Sequence, residues 1–349
     1  MTVRPGTRRS LVAFTLVEVL VASVIIVMIM GFLIVVLDQA TRIWSSTSAK
    51  VEQFREARAG FERVATRLSQ ATLNTYWDYD NAASPTRYLR QSELRFIAGS
   101  APGLLGGSAS ATRLTHAMFF NAPLGITGNV TYSGLANALN TFGYFAELAD
   151  DTGQRPPFIT TDMVPARWRF RLMEFSQPTE NFSVYQYTNG NPSVVTNAWF
   201  TTDVNIATLL KRVVAENVIA FVVTPRLAKA EELPLQASPT HSPLAPYYSY
   251  SSTGTNANPQ LNPKNQLPPV VQLTMVAIDE KSAEKLNITS LAQADIFKIT
   301  ALSLFTDTKK FTADLATLEA TLNTMHVRYR IFTTNVHIRA AKWSREQIN

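Results

Sequence analysis

Cysteine is absent from this chain of 349 residues, and histidine occurs only four times. The absence of cysteine excludes disulfide frameworks, thiolate zinc sites and enzymes with a cysteine nucleophile. None of the histidines lies three to five residues from another histidine or an acid, the spacing that zinc ligands often have. The four are His116, His241, His326 and His337. The sequence therefore predicts no histidine metal site, and we assign no cofactor.

Charged residues are also scarce, at 17% of the chain, whereas 46% of the residues are hydrophobic. This balance excludes a chain that is disordered throughout and suffices for one large or two ordinary domains. Lysine and arginine outnumber aspartate and glutamate by 32 to 26, which gives a net charge of +6. On its own, that excess suggests an acidic partner such as nucleic acid or an anionic membrane surface.

One stretch is almost free of charge, because residues 14–37 contain a single charged side chain, that of Glu18. As an α-helix this stretch would extend roughly 36 Å, enough to cross a hydrocarbon core about 30 Å thick. A conventional secretory signal peptide has a shorter apolar region and then small residues at its cleavage site, whereas this stretch continues into helix-compatible sequence. We therefore predict a transmembrane helix over residues 14–38.

The leader, residues 1–13, contains three arginines and no acid. By the positive-inside rule the leader stays in the cytoplasm and the bulk of the chain is exported. Without the leader, 29 basic residues face 26 acidic ones, and the net charge falls to +3. Half of the basic excess thus belongs to targeting, and the charge no longer argues for nucleic acid as a partner.

Glu18 is the unusual residue of the apolar stretch. A carboxylate inside a bilayer costs several kcal/mol and needs a partner, unless it lies near enough to the helix start to reach headgroups and water. Cleavage between Ala13 and Phe14 would create an α-ammonium four residues before this acid, and opposite charges attract strongly in a low dielectric. One helix cannot easily close that pair with good geometry, but a neighbouring copy displaced along its axis can.

The sequence AFTLVE at residues 13–18, after a basic leader and before an apolar helix, resembles the class III signal of type IV pilins and type II secretion pseudopilins. The resemblance implies that a prepilin peptidase cuts before Phe14 and methylates the new amine. It also implies that Glu18 is needed for methylation and pairs with a neighbouring subunit's amino terminus during assembly. Ala13 is a departure, because the family usually has glycine before the cut.

The longer similarity, EVLVA at residues 18–22 and LDQATRIW at residues 37–44, most resembles J-type minor pseudopilins and related minor pilins. K-type minor pseudopilins typically lack the acid. The ending of the chain, with AKWS at residues 341–344, also resembles prepilin-like proteins of the Verru_Chthon cassette protein C type.

These resemblances imply a minor pseudopilin or minor pilin, a structural subunit rather than an enzyme. Its partners would be the prepilin peptidase, other pilin-like subunits, an assembly platform and a secretin system. It would cross the inner membrane once, with its amino terminus in the cytoplasm and its head on the periplasmic or outer side.

Residues 39–75 predict an amphipathic continuation of the helix, because apolar residues recur there every three to four positions. From residue 76 onward the pattern changes to short apolar or alternating runs, which indicate strands. The predicted strands are 94–98, 114–120, 142–148, 168–175, 218–224, 270–278 and 326–338, and a second amphipathic helix covers 308–324. The predicted fold is α+β, a pilin-type helix packed on an antiparallel, β-rich head over residues 76–349.

Residues 225–269 are crowded with proline, serine, asparagine and threonine and have few periodic apolar residues. They predict a long exposed loop within the head. Three tyrosines in it, Tyr247, Tyr248 and Tyr250, would contact a partner if they are exposed.

Two further patterns leave alternatives open. Arg167, Arg169 and Arg171 alternate with aromatic residues, which suits either a solvated outer sheet face or a head that binds DNA or a surface ligand at a filament tip. Asp78 and Asp80 resemble the opening of a calcium loop, but the later glycine and glutamate are missing, so a polar turn at the end of the long helix is favoured. A membrane-tethered enzyme is the third class, but no constellation of acid, base and nucleophile points to it.

Overall fold

The computed structural model describes residues 15–106, 112–156, 158–188, 197–206, 210–235 and 241–344. Ala13 and Phe14, with the rest of the leader, lie outside the described residues. The chain divides into two compact units, residues 1–52 and 53–349. Its architecture is α+β, with a long apolar helix at the amino-terminal end and antiparallel sheets after it, as the sequence predicts for the coarse fold class.

Helix α1 (Leu16–Leu68) contains 53 residues and belongs to both units. No proline interrupts it, so an uninterrupted ladder of backbone hydrogen bonds is possible. It ends a few residues earlier than the periodicity predicts. Residues 69–75 then form a turn and an extended segment that leads into the first strand.

The second unit contains the remaining elements that the structure describes. The strands are β1 (Tyr76–Tyr79), β2 (Tyr88–Gln91), β3 (Phe96–Ser100), β4 (His116–Pro123), β5 (Leu139–Ala149), β6 (Arg169–Gln177), β7 (Lys211–Glu216), β8 (Val218–Arg226), β9 (Tyr250–Ser251), β10 (Val270–Ile278) and β11 (Tyr329–His337). The α-helices are α2 (Ala101–Leu105), α3 (Val184–Thr188), α4 (Ala198–Ile206), α5 (Lys229–Glu232), α6 (Glu280–Lys285) and α7 (Phe311–Thr324).

Every strand pairing is antiparallel. One sheet has six strands in the order β7-β6-β5-β4-β3-β9, a second has three in the order β11-β10-β8, and β1 pairs with β2 as a separate hairpin. Pro225 lies in β8, which is tolerated because β8 is at the edge of its sheet and the missing N–H breaks no ladder bond.

The outer edge of β8 is closed by side chains from the larger sheet. The backbone N–H of Phe221 donates to Thr115 Oγ1 at 3.1 Å, and that of Val223 donates to His116 Nδ1 at 3.1 Å. An open strand edge offers its N–H groups to other chains. These two bonds instead join the three-stranded sheet to β4 of the six-stranded sheet.

The second half of α1 packs in the core of the head. Four residues at three- and four-residue spacing, Ala57, Phe61, Val64 and Leu68, are buried in one cluster with apolar side chains from both larger sheets. The Phe61 ring lies 6.1 Å from that of Phe332 in β11. After the helix, the Ser69 carbonyl accepts a hydrogen bond of 3.0 Å from the Arg339 N–H, so the end of the chain returns to the end of the helix.

The opposite face of the six-stranded sheet carries a second cluster, covered by α2, α3 and α4. At its centre the Phe119 ring stacks on Phe200 of α4 with centroids 3.9 Å apart. Gly143 faces Phe119 across the strand pair, and a Cβ atom there would lie 2.1 Å from the ring. Glycine is therefore required under this ring.

A third cluster covers the face of the three-stranded sheet that points away from α1. Val276 and Ile278 of β10 pack there with Leu318 and Leu322 of α7. The helix predicted over residues 308–324 is confirmed, with its first turn as a 3-10 helix.

The prediction of an exposed loop over residues 225–269 is wrong for most of the residues described there. Tyr248 and Tyr250 are buried, whereas Tyr247 is 71% exposed. Tyr250 lies in β9, which pairs with β3, and its hydroxyl donates to the Gln266 carbonyl at 2.9 Å. The apolar and aromatic residues of this segment fill the core without helix or strand spacing, so periodicity does not reveal them.

Gly60 permits a close approach between α1 and β7. A Cβ atom at Gly60 would lie 2.9 Å from the Val214 backbone oxygen and 3.0 Å from its Cγ1 atom. We predict that Gly60→Ala lowers the free energy of unfolding of the head by about 1–3 kcal/mol, because backbone cannot yield as a flexible side chain does.

Gly31→Ala is the matched control, because nothing lies within 4 Å of the Cβ atom that it adds to the same helix. The measurement is the urea midpoint of the detergent-solubilised chain, followed by tryptophan fluorescence. Equal midpoints for the two variants would contradict the predicted close contact.

Candidate functional site

The first turn of α1 forms a capping box between Thr15 and Glu18. The Thr15 N–H and hydroxyl each donate to Glu18 Oε2 at 2.9 Å, and the Glu18 N–H donates to Thr15 Oγ1 at 3.3 Å. Such reciprocal bonds satisfy backbone donors that a helix start otherwise leaves open, and an acid there is favoured by the helix dipole. The structure thus holds the predicted site residue Glu18 at the helix start.

Thr15 is the partner that sequence reasoning missed. The signal was present, because threonine followed three residues later by glutamate is the sequence pattern of a capping box. Both bonds to the acid end at Oε2. A carboxylate has about four lone-pair positions, so Oε1 can accept a further donor while the cap is kept.

From Leu16 to Trp44 every side chain of α1 is exposed. Leu16 is 81% exposed and Phe32 is 70% exposed. This helix is long and apolar enough to cross a membrane, a test that a signal sequence also passes. An apolar surface of this size requires lipid or other apolar helices to cover it.

Two hydroxyl side chains of this segment form hydrogen bonds within the helix. Ser23 Oγ donates to the Leu20 carbonyl and Thr41 Oγ1 to the Leu37 carbonyl, each at 2.8 Å. Hydroxyls that bond to the preceding turn are compatible with a lipid environment, where no water is available to them. The first ion pair along the apolar segment joins Asp38 to Arg42 at 2.9 Å, so the charged surface of α1 begins where the predicted span ends.

A buried charge cluster ties the second half of α1 to the six-stranded sheet. The Glu174 side chain, on β6, is fully buried and accepts hydrogen bonds from Arg67 of α1, Tyr144 of β5 and Arg212 of β7. Burial raises the pKa of the Glu174 carboxyl, but these donors and the arginine charges outweigh burial and leave its pKa below the ordinary value.

Because Glu174 is ionised and accepts from three side chains, the cluster holds α1 against strands β5, β6 and β7. Burial and the adjacent carboxylate raise the pKa of Tyr144, so its phenol stays protonated and remains a donor. No local sequence pattern predicts this cluster, because its members lie on four separate elements.

Of the three arginines whose alternation suits a solvated sheet face, Arg169 and Arg171 on β6 contradict that interpretation, whereas Arg167 precedes the strand and its side chain is 46% exposed. The Arg169 side chain is buried and pairs with Glu280 at 2.8 Å. Arg171 is 1% exposed, and its Nη1 donates to two backbone carbonyls at 2.8 Å each. Both faces of the strand are covered, one by α1 and the other by the cluster at α4, so these two arginines present no open basic face.

Asp78 lies in strand β1 and Asp80 in the hairpin loop that follows it, so neither forms a turn at the end of α1. Asp80 accepts from the N–H groups of Asn81 and Thr86 at 2.9 Å each, and it closes the loop between β1 and β2. Hydrogen bonds from Thr86 lower the pKa of Asp80. Throughout the described residues, no group of three or more histidines and acids is arranged to hold a metal ion.

Among the histidines, His116 is buried and has a fixed structural role. Its Nδ1 accepts the Val223 N–H, so Nε2 carries the proton and donates to the Phe305 carbonyl at 2.9 Å. Burial lowers the pKa of His116 to about 4, against a smaller opposite effect of the bond to Phe305. The neutral ring is therefore a connector between strands.

Comparison with models of protein families, with curated proteins and with solved structures finds no match for this chain.

We predict that Glu174→Gln lowers the free energy of unfolding by roughly 3 kcal/mol, because it leaves the partly buried Arg67 without a counter-charge. Glu62→Gln is the control, because Glu62 pairs with Arg58 on the exposed surface of the same helix. We expect it to cost less than about 0.5 kcal/mol. Urea unfolding of both variants measures the difference. An equal decrease in the free energy of unfolding for the two variants would rule out a stabilising role for the Glu174 cluster.

Proposed function

We propose that this chain is a minor pseudopilin or minor pilin, a structural subunit of a type II secretion or type IV pilus-like filament. One observation carries the proposal. The described residues from Leu16 to Leu37 form an apolar, exposed helix whose single charged side chain, Glu18, lies in its first turn. A helix of this kind is stable only when lipid or other apolar helices surround it.

In this proposal a prepilin peptidase cuts between Ala13 and Phe14, and the new amine lies four residues before Glu18. The capping box fixes the acid at the membrane-entry end of the helix and occupies only Oε2 in its bonds to Thr15. Oε1 is then the acceptor for the amine of a neighbouring subunit. Pairing of the amine with Oε1 adds a hydrogen bond and leaves the bonds between Thr15 and Glu18 intact. The backbone N–H groups at the helix start therefore keep their acceptors before and after assembly.

The packing of α1 supports a subunit that carries its head on the filament. The second half of the helix is part of the head's core through Phe61, Val64 and Leu68, and Arg67 pairs with the buried Glu174. The same helix, Leu16–Leu68, also bears the apolar segment.

The partners follow from this role. They are the prepilin peptidase, other pilin-like subunits that pack on the apolar helix, an assembly platform and a secretin system. The arginine-rich leader favours an amino terminus in the cytoplasm, with a single pass through the inner membrane and the head outside it.

We predict that the mature chain begins at N-methylated Phe14 in cells that contain a prepilin peptidase. Intact-mass and amino-terminal peptide spectrometry of membrane extracts measure this directly. Ala13→Asp should retain the leader, because the peptidase of this family requires a small residue before the cut. An intact Met1 leader on every wild-type molecule would refute processing.

A second prediction separates the charge of Glu18 from its capping role. Glu18→Gln keeps the capping box, since glutamine serves equally at this position, but it removes the charge that attracts an amine. Thr15→Val removes the cap hydroxyl and keeps the charge. We expect Glu18→Gln to remain in the membrane and be lost from the sheared filament fraction, with Thr15→Val still present there.

Immunoblots of the membrane and filament fractions read out both variants. Incorporation of Glu18→Gln at the wild-type level, with loss of Thr15→Val, would show that the acid serves only as a helix cap.

A further inference from the structure

The three-stranded sheet ends in a long edge strand, β11, which pairs with β10 alone. The nine residues of β11 pair with β10 without a register shift, so no bulge interrupts the strand. It contains neither proline nor glycine, and its one charged side chain, Arg330, lies near one end. From Ile331 to His337 the strand therefore lacks the features that usually protect a sheet edge from other chains.

The other three edges of the two larger sheets are short, charged or covered. Strand β9 contains only two residues. Strand β7 carries charged residues at both ends and pairs with β6 through a register shift. The edge of β8 is closed by the side chains of Thr115 and His116. Among these four edges, β11 is the exception.

The register shows which backbone groups of β11 face outward. The Ile338 N–H donates to the Pro269 carbonyl at 3.2 Å, and the Asp279 N–H donates to the Arg328 carbonyl at 3.1 Å. Since hydrogen-bonded pairs alternate along an antiparallel ladder, the even-numbered residues of β11 bond to β10. The N–H and C=O groups of its odd-numbered residues face the open edge, where no strand of the described residues pairs with them.

A cavity of about 410 Å³ lies beside the last part of this edge. Its lining includes the exposed side chains of Asn335 and His337, on the face of β11 that points away from α1, and that of Lys229 on α5. A strand added next to β11 would place alternate side chains on this same face. A side chain opposite Asn335 or His337 would therefore point into the cavity.

The cavity and the ends of the strand carry an excess of positive charge. In the cavity Arg226 pairs with Glu232 at 2.7 Å, so the excess there comes from Lys229. Residues 326–344 contain three arginines and one lysine and no acid. A second copy of this strand would bring like charges together, whereas an acidic segment would compensate them.

We propose that β11 accepts an extended acidic segment of another protein as a fourth strand of the sheet. The segment forms backbone hydrogen bonds with the odd-numbered residues of β11 and places an acidic side chain in the cavity beside Lys229. The backbone bonds supply affinity, and the cavity selects the acid. This surface belongs to the head and is present whether or not the leader is removed or the chain joins a filament.

The test uses the full chain in a zwitterionic detergent and a fluorescent nine-residue peptide as the probe. The peptide has a glutamate at each end and alternating valine and threonine between, so that a glutamate reaches the cavity in either strand direction. Fluorescence anisotropy measures its binding. A peptide with lysine at each end should bind about tenfold more weakly, the effect of losing one charge-assisted hydrogen bond.

Two further peptides test the backbone pairing without any change to the chain. Both keep the terminal glutamates, and one carries N-methyl groups on its valines and the other on its threonines. Because only one edge of an added strand faces β11, one of these peptides should lose binding and the other should retain it.

Variants of the chain locate the site. Lys229→Gln removes the cavity charge and should weaken binding of the glutamate peptide about tenfold. Lys285→Gln is the control, because it removes an exposed charge on α6 and should bind as the wild type does. Asn335→Pro replaces an outward-facing N–H, so it should abolish binding and leave the bonds to β10 intact.

Thermal melting by circular dichroism separates loss of fold from loss of binding, and the N-methylated peptides decide alone if Asn335→Pro does not fold. The proposal is overturned if the glutamate peptide does not bind or if the lysine peptide binds equally. Equal binding of the two N-methylated peptides, or equal binding by Lys229→Gln and Lys285→Gln, also overturns it. Sedimentation velocity tests the other occupant. Self-association that Asn335→Pro abolishes, without peptide binding, overturns the proposal in favour of a second copy.

Discussion

The burial of one face of α1 against both larger sheets is the contact on which the head depends. Phe61, Val64 and Leu68 occupy a cluster to which the six-stranded and three-stranded sheets both contribute. Without the helix, each sheet would expose an apolar face to water, at a cost of about 25 cal/mol for each Å². The ion pair between Arg67 and Glu174 fixes the orientation of α1 on the sheet. A buried charge is stable only where its counter-charge and hydrogen-bond partners are in place.

One helix therefore faces two kinds of surroundings. Up to Leu37 it is apolar around its circumference except for Glu18 in its first turn, whereas beyond Gln53 its apolar residues are confined to a stripe that includes Phe61. A uniform apolar surface suits lipid or a bundle of like helices, and a stripe suits the surface of a sheet. The composition of each half of α1 therefore indicates which surroundings suit that half. The change in composition lies close to residue 52, where the first compact unit ends.

The sequence predicts elements well where one local pattern decides them. The apolar run that includes Glu18 is helical, and β10 (Val270–Ile278) has the predicted bounds because it is a short run dominated by apolar residues, in which the polar residues Gln272 and Thr274 alternate with them. Other features depend on distant residues and could not be read locally. The sequence pattern does not predict strand β7, because most of its side chains are only partly buried, and it places Tyr250 in a loop, because the two-residue strand of Tyr250 has no period. In the candidate site, the position of Glu18 in an apolar run predicts the acid, whereas its bonds to Thr15 are seen only in the structure.

The bond from the Arg339 N–H to the Ser69 carbonyl and the contact of Phe61 with Phe332 have a consequence for biosynthesis. Helix α1 is translated before all the described strands, but β11, which completes its surroundings, is translated after the other ten. Contacts so distant in sequence form slowly, and the interim chain exposes apolar surface that favours aggregation. Until β11 has been translated, the second half of α1 lacks part of the apolar surface that covers it in the finished head.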